Sequence, residues 1–273
     1  MAEINLTLKV TLNVPLDVGA ISPDNFAGKS LDEIKSLDVW EGNHKARLDE
    51  FFEVEGDIAP NVENLTILLH GNGSKFRKLG RAMSNGKILV DGSAGLYLGE
   101  EMTGGTITVN GEAGSWCGTR MKGGLIEVKG NAGDYVGASY RGSTEGMKGG
   151  TIIIHGNAGN DVGSWMQDGL IKIFGDVGQF AGVHLQNGTI YILGNSEGRV
   201  GAQMINGKII ILGTVPTILP SFSFEEIRDK VKAGDEKVAR PFYVFSGDIV
   251  ENREGKLFIS MKNNPHLKSF ERL

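Results

Sequence analysis

The 273-residue sequence has little of what disulfide-bonded, membrane and nucleic-acid-binding proteins use. Its one cysteine, Cys117, can form no internal disulfide and cannot alone hold an iron–sulfur cluster or a cysteine-rich zinc site. No apolar run reaches the roughly 18 residues of a membrane span, and the first residues lack the basic and apolar segments of a secretory signal. The net charge of −5 comes with no basic run to attract nucleic acid. We therefore expect a cytoplasmic protein that binds neither membrane nor nucleic acid.

Recognisable catalytic arrangements are also missing. The histidines, which show no ligand-like spacing, are His44, His70, His155, His184 and His266. Strings resembling G-x-G-x-x-G recur, but they lack the strand–helix context and the following acid of a dinucleotide site. The residues alone therefore indicate a rigid scaffold or binding module, and we assign no catalytic, cofactor-binding or metal-ligating residue.

Glycine is abundant, with 41 residues, and it marks a repeat. The repeat is 19 residues long in five of its seven steps, and the other two steps are 21 and 26 residues. The repeat-opening glycines are Gly71, Gly92, Gly111, Gly130, Gly156, Gly175, Gly194 and Gly213. Glycine is needed where a chain turns with positive φ or where backbones approach closely, so we interpret those from Gly92 to Gly194 as structural turn glycines. A fixed period of this size is typical of stacked repeats.

Each repeat ends in a β-branched run such as TITV or LIEV, which predicts a strand. The sixteenth and eighteenth positions, for example Ile107 and Val109, are apolar and must face the same way. Stacking of such units predicts an all-β fold, a right-handed parallel β-helix of about seven to eight coils. Six of the eight methionines share one column, which favours a stacked core ladder over a soft-metal site.

The segments that flank the repeat predict caps with short helices. Strict alternation from Ile4 to Val18 predicts a long strand or arm. A capping box of Ser30 and Glu33 predicts a helix over 31–36, and a strand is expected over 49–55. We expect an N-terminal arm and cap (1–65), the glycine-rich β-helix (66–215) and a C-terminal extension (216–273), which together form one structural unit.

The C-terminal extension has its own local signals. Ser223 and Glu226 form a second capping box, which predicts a helix over 224–232. The runs PFYVFSGDIV and GKLFISMK then predict two strands, joined by a hairpin turn across 250–254.

Large outward side chains form a candidate subunit interface. Aromatic residues recur at the sixth repeat position, where an outward strip would suit a partner, although the rings could also pack under the N-terminal segment. Removing about seven residues around Tyr140–Gly146 restores the period, so this stretch is an insertion that is either a binding element or a tolerated loop. Apolar outward residues in the later repeats indicate a cover, either the C-terminal tail or another subunit. The candidate interface residues are Tyr97, Trp116, Tyr135, Tyr140, Arg141, Phe180 and Tyr191.

The repeat pattern GxxGxxxGxxMxGGxIxVxG resembles a glycine-rich β-helix family. Its members include the C-terminal domain of glutamate synthase large subunits and the C subunit of formylmethanofuran dehydrogenases. The stretch PDNFAGKSLDEIKSLDVWEGN, from Pro23, and GNAGDYVGASYRG, from Gly130, look like the latter over nearly the whole chain, with the weakest match after about Phe222. The resemblance implies a non-catalytic scaffold subunit of a cytoplasmic archaeal oxidoreductase complex. That complex reduces CO2 and attaches it as a formyl group to methanofuran, in methanogenesis or its reverse.

The resemblance also implies where cofactors and partners lie. It places no cofactor in this chain, and it places a tungsto- or molybdopterin, iron–sulfur clusters and a binuclear metal centre on other subunits. The implied partners are a pterin-binding subunit, an amidohydrolase-like subunit and iron–sulfur subunits. Two alternatives stay open: the C subunit of a formyltransferase/hydrolase complex, and a stand-alone glutamate synthase-type domain that works with a flavin enzyme.

Overall fold

The computed structural model describes residues 2–251 and 254–272, and these are mostly β-structure. The helices are α1 (Pro23–Phe26), α2 (Leu31–Lys35) and α3 (Leu48–Phe51), with 3₁₀ turns at Val62–Asn64, Met261–Asn263 and Pro265–Arg272. The strands before the repeat ladder are β1 (Ala2–Leu8), β2 (Leu16–Asp17), β3 (Asp38–Glu41), β4 (His44–Arg47) and β5 (Phe52–Gly56). The strands of the repeats are β6 (Leu65–His70), β7 (Gly73–Arg77), β8 (Lys87–Asp91), β9 (Ala94–Leu96), β10 (Thr106–Val109), β11 (Leu125–Val128), β12 (Thr151–Ile154), β13 (Leu170–Ile173), β14 (Val177–Gln179), β15 (Thr189–Ile192), β16 (Ser196–Gly198) and β17 (Lys208–Ile211). The C-terminal strands are β18 (Ser223–Ala233), β19 (Glu236–Gly247) and β20 (Gly255–Ser260).

The β-branched strand of each repeat pairs in parallel with the same strand of the next repeat. Ile107 of β10 is the partner of Ile88 in β8 and of Ile126 in β11. Ile126 in turn is the partner of Ile152 across the 26-residue step, so the extra residues lie outside the ladder. The inward residues are fully buried, and so is the methionine column, which confirms its interpretation as core: Met83, Met102, Met121, Met147, Met166 and Met204.

The repeat-opening glycines lie where successive repeats touch. A Cβ atom added to any of them would lie 2.2 to 2.7 Å from an atom of the preceding repeat, which no side chain tolerates. These are Gly92, Gly111, Gly130, Gly156, Gly175 and Gly194. Alanine or valine two residues later forms single parallel bridges from repeat to repeat, such as Ala94 with Ala113. Glycine here therefore sets how closely the repeats stack.

The predicted right-handed parallel β-helix of seven to eight coils is wrong, whereas the short helices predicted with it are present in the N-terminal extension as α1, α2 and α3. The principal sheet is mixed and has 13 strands in the order β18-β19-β20-β17-β15-β13-β12-β11-β10-β8-β6-β1-β5. Three of its pairings are antiparallel: β1 with β5, β18 with β19, and β19 with β20. Smaller sheets of two and five strands accompany it. The repeat pattern specifies only the parallel part, and strands from both extensions add to its ends by hydrogen bonding.

The N-terminal extension supplies the cap at one end of the sheet. The arm predicted over 4–18 is interrupted: β1 ends at Leu8, and the chain resumes extended pairing only at β2. Proline at position 15 has no backbone N–H to donate, and Lys75 Nζ donates to the carbonyls of Leu12 and Asn13 in the gap. The capping box of Ser30 and Glu33 is present and opens α2 as predicted. Part of the strand expected over 49–55 is helix α3.

The C-terminal extension differs more from its prediction. The segment expected to be a helix over 224–232 is strand β18, which pairs antiparallel with β19. Phe224, Ile227 and Val231 do recur at helical spacing, but Val231 and Ala233, two residues apart, are buried on one face of the strand. The two later strands are confirmed as β19 and β20, but residues 252 and 253 of the predicted turn lie outside the described residues. The division of the chain at 65 and 215 stays a prediction.

None of the helices in the described part of the chain is long and apolar enough to cross a lipid bilayer.

Candidate subunit-docking face

Tyr97, Trp116 and Tyr135 occupy the same corner of three successive repeats. Their φ angles are 60°, 61° and 64°, in the left-handed region. The residue that follows each of them is buried in the core, so the three side chains project outward, where they are half-buried. A left-handed conformation costs a bulky residue about 1–2 kcal/mol, and glycine would avoid this cost. The rings are therefore not explained by the stability of the corner.

The three rings form a continuous stack. The ring centroids of Tyr97 and Trp116 are 5.2 Å apart with an interplanar angle of 17°. Those of Trp116 and Tyr135 are 4.7 Å apart at 9°. Stacked rings at these distances add about 0.5–1.5 kcal/mol per pair beyond the apolar area they bury.

Arginines lie over the stack. Arg77 Cζ is 5.6 Å from the Tyr97 ring centroid. Arg141 Cζ is 6.0 Å from the Trp116 centroid and 5.7 Å from the Tyr135 centroid. Such cation–π contacts contribute about 0.5–1 kcal/mol at exposed sites. The surface thus combines flat apolar rings with positive charge.

The insertion completes this surface. Tyr140 lies 6.1 Å from Tyr97, centroid to centroid, and is tilted by 47°. Arg120 Cζ is 5.7 Å from the Tyr140 ring, and its guanidinium pairs with Glu101 at 3.1 Å and Glu145 at 3.0 Å. We define the aromatic face as Arg77, Tyr97, Trp116, Tyr135, Tyr140 and Arg141.

Buried donors without acceptors concentrate at this face. Among the described residues, Arg77 Nε, Trp116 Nε1 and Arg120 Nε are inaccessible to solvent and have no hydrogen-bond partner. Each such group costs about 1–3 kcal/mol.

A buried carboxylate lies beside the face. Glu100 is 3% exposed, and Arg81 Nε approaches its Oε2 at 3.1 Å without the alignment of a hydrogen bond. Burial raises the pKa of the Glu100 carboxyl, while the charges of Arg81 and Lys78 act in the opposite direction.

Two of the predicted interface residues lie elsewhere. Phe180 occupies the same left-handed corner, where Arg199 Cζ is 5.1 Å from its ring, but Asp161 holds the corner of the intervening repeat and separates Phe180 from the stack. Burial raises the pKa of the Asp161 carboxyl, and the nearby Asp134 charge raises it further. Tyr191 is 2% exposed beneath the C-terminal hairpin, so this chain itself covers it.

The sequence reasoning missed the tenth repeat position. This position is a second left-handed corner, and it places Arg120 beside the aromatic face. It also stacks Trp165 on His184, with ring centroids 3.9 Å apart and an interplanar angle of 13°. Burial lowers the pKa of His184, which keeps the ring neutral near pH 7. The fixed offset from the repeat-opening glycine was the available signal.

The described residues do not fit a metal centre. They contain no group of three or more histidine, cysteine, aspartate or glutamate side chains that could hold an ion. Burial raises the pKa of the Cys117 thiol to about 12, so the thiolate that a metal requires is disfavoured. The expectation that cofactors lie on other chains stays a prediction.

Curated proteins with similar sequences include subunits of one kind of enzyme. The chain is 41% identical over 97 residues to the C subunit of tungsten-containing formylmethanofuran dehydrogenase 2 from Methanothermobacter wolfeii, and this match covers 36% of each protein. It is 40% identical over 97 residues to the C subunit of molybdenum-containing formylmethanofuran dehydrogenase 1 from Methanosarcina barkeri, which covers 36% of this chain and 32% of that protein. The matched segment thus spans about a third of these relatives' length. No protein-family model matches the chain.

A solved structure matches far more of the molecule. It is the crystal structure of the formyltransferase/hydrolase complex of Methylorubrum extorquens with methylofuran. The likeness has a TM-score of 0.83 at 29% identity, and it covers 94% of this chain and 99% of the other. The sequence matches and this structural match together confirm the resemblance to the C subunit of formylmethanofuran dehydrogenase.

Proposed function

We propose that this chain is a non-catalytic assembly subunit of a complex of the formylmethanofuran dehydrogenase type, and that it docks its partners through the aromatic face. In this proposal the complex reduces CO2 and attaches it as formyl to methanofuran in the cytoplasm. Pterin, iron–sulfur and binuclear metal centres lie on its catalytic and iron–sulfur subunits. The similarity to the C subunit of tungsten and molybdenum enzymes supports the proposal.

The single observation that carries the docking role is the strained aromatic stack. Three bulky rings occupy left-handed corners where glycine would cost less free energy, and an arginine guanidinium lies over each of them. Tyrosine, tryptophan and arginine are the residues that dominate binding energy at protein interfaces. A docked chain would cover the rings and supply the apolar contact that the lone chain lacks.

The second candidate is the corresponding subunit of a formyltransferase/hydrolase complex, which handles formyl groups without a redox centre. The observation that favours it is the coverage of 94% of this chain by a chain of that complex. The two candidates share the docking role. They differ in one measurement, the tungsten and molybdenum content of the complex purified from its own cells. Stoichiometric metal supports the first, and formyl transfer by a metal-free complex supports the second.

Affinity purification of the tagged chain from its native cells tests the docking role. In Trp116→Gly the ring is lost while the strain of the left-handed corner is relieved, so the relief partly offsets the lost stacking, and thermal unfolding checks that the variant is folded. We expect the recovery of co-purifying subunits to fall by at least about tenfold, as for a hot-spot residue. Phe180→Gly is the matched control, because it makes the same change at the same corner outside the stack.

Two outcomes would contradict the proposal. Full recovery of partners by folded Trp116→Gly would remove the aromatic face as the docking site. Stoichiometric tungsten, molybdenum or iron bound to the isolated chain would remove the non-catalytic role.

A further inference from the structure

A second surface lies between β18 and the later repeats. It is an open groove of about 1230 Å³. Its floor is formed by three aligned turns, Asp168–Gly169, Asn187–Gly188 and Asn206–Gly207, which recur every 19 residues. Its wall is the segment of β18 from Ile227 to Lys232.

The groove is positively charged, although the whole chain carries a net charge of −5. Its acidic lining residues are only three, Asp168, Asp229 and Glu254. Its cationic lining residues are twice as many: Lys208, Arg228, Lys230, Lys232, Lys237 and Lys256. This local excess of positive charge favours an anionic occupant.

Several of these lysines form no ion pair among the described residues. Within residues 2–251 and 254–272, Lys256 pairs with Glu225 and Arg228 with Glu226, whereas Lys208, Lys230, Lys232 and Lys237 have no ion-pair partner. Lys232 and Lys237 stand directly opposite each other across the hairpin, an arrangement of like charges that destabilises it. Burial lowers the pKa of Lys208, and the charge of Lys232 lowers it further. An external anion would relieve both effects.

The wall of the groove is also an unpaired strand edge. β18 is the outermost strand of the principal sheet and pairs only with β19 among the described strands. A free edge can accept one more strand by backbone hydrogen bonding. Lysines on an edge can also serve only to discourage association, so the two roles must be separated by experiment.

We propose that this groove binds an extended acidic peptide segment of a neighbouring chain, which adds as a strand to the edge of β18 while its carboxylates meet the groove lysines. This inference is independent of the proposed docking role of the aromatic face. The segment is defined by its chemistry: acidic side chains at alternate positions and a backbone free to pair.

The test measures binding of a fluorescent ten-residue peptide of alternating Glu and Thr to the full chain by anisotropy. We expect saturable binding that weakens as the salt concentration rises from about 0.05 to 0.3 M. The double variant Lys208→Gln/Lys232→Gln should bind at least tenfold more weakly. Lys87→Gln is the matched control, because Lys87 begins its ladder strand as Lys208 does but lies outside the groove. Thermal unfolding of each variant shows that it is folded.

Further ligands separate edge pairing from simple ion binding. A peptide with Gln in place of Glu should not bind, and one with alternate backbone nitrogens methylated should bind at least tenfold more weakly. Equal binding to the folded double variant would overturn the proposal, as would absence of binding at low salt. So would undiminished binding of the methylated peptide, or tighter binding of tripolyphosphate than of the peptide, which would indicate a small-anion site.

Discussion

The early and late repeats share one interior and differ in their exteriors. The inward isoleucines Ile107 and Ile126 of the early ladder are fully buried, as are Ile190 and Ile209 of the late ladder. The residue between the inward pair faces out. It is Thr108 or Glu127 in the early repeats and Tyr191 or Ile210 in the late ones. The inward apolar columns therefore hold each strand in the ladder. The outward residue between them determines which part of the protein can pack over that strand.

The cover over the late repeats is the C-terminal hairpin. Tyr191 and Ile210 pack with residues of β18, β19 and β20 in a second hydrophobic cluster, separate from the main core. Its other buried members are Leu212, Val231, Ala233, Val238, Phe242, Val244 and Phe258. The early repeats have no such cover over Thr108 and Glu127 among the described residues, and their aromatic face lies at a different place, the corner that follows β9. The late half of the ladder is thus covered by its own chain, whereas the early repeats carry the proposed docking face.

A side chain added at the interior corner should destabilise the early and the late repeats equally. Gly118 and Gly182 have φ of +67° and +72°, and a Cβ on either would lie 2.3 Å from the Cδ1 of Ile152 or Ile209. We expect Gly118→Val and Gly182→Val each to lower the free energy of unfolding by at least about 3 kcal/mol, because overpacking adds to backbone strain.

Guanidinium titration followed by circular dichroism measures these losses. Gly142→Ala is the control: its φ is +81° but nothing lies within 4 Å, so it should lose only about 1 kcal/mol. Losses that differ by more than about 2 kcal/mol between the two valine variants would show that the halves do not share one interior.

A polar substitution in the outward column should destabilise the late repeats more than the early repeats. Ile210 is fully buried under the hairpin, whereas Leu89, in the same column of the early ladder, is 39% exposed. We expect Ile210→Ser to lower the free energy of unfolding by about 3 kcal/mol and Leu89→Ser by less than about 1 kcal/mol. The same guanidinium titration measures both. Equal losses of the free energy of unfolding in the two variants would show that the hairpin does not shield Ile210 from solvent.

A smaller effect on stability comes from the charge on the first residue of the ladder strands. Lys208 is half-buried beside Lys232, and Lys87 in the same column is exposed. The folded-state pKa of Lys208 lies below the unfolded value near 10.5, so the unfolded chain binds more protons in that interval and stability rises with pH through it. Below that interval the full destabilisation is present.

Replacing the charged side chain of Lys208 should remove this pH-dependent destabilisation. We expect Lys208→Met to raise the free energy of unfolding at pH 7 by up to about 1 kcal/mol and to flatten its rise in the alkaline range. Lys87→Met should change little. Urea titrations at pH 7 and in the alkaline range provide the comparison, and a loss of stability in Lys208→Met at pH 7 would contradict it.

The local signals predicted part of this molecule and not its overall sheet. Period and β-branched runs located the strands of the ladder, and the offset of Tyr97, Trp116 and Tyr135 located their shared corner. The segment from Phe224 to Lys232 was misread because Ser223 and Glu226 match a helix start, while the strand is held by pairing with β19, which the local sequence does not show. The burial of Tyr191 depends on the same long-range contact. The sequence does not predict the basic groove, because Lys208 and Lys232 come together only in the fold.

The burial of Cys117 has a practical consequence. With its thiol fully enclosed and its pKa near 12, the native chain presents no sulfur nucleophile to a maleimide reagent. A cysteine introduced at the open corner of Gly142, or at Lys237 in the groove, would be the sole reactive thiol. Each surface can therefore carry a spectroscopic reporter by itself, in a background that needs no prior cysteine removal.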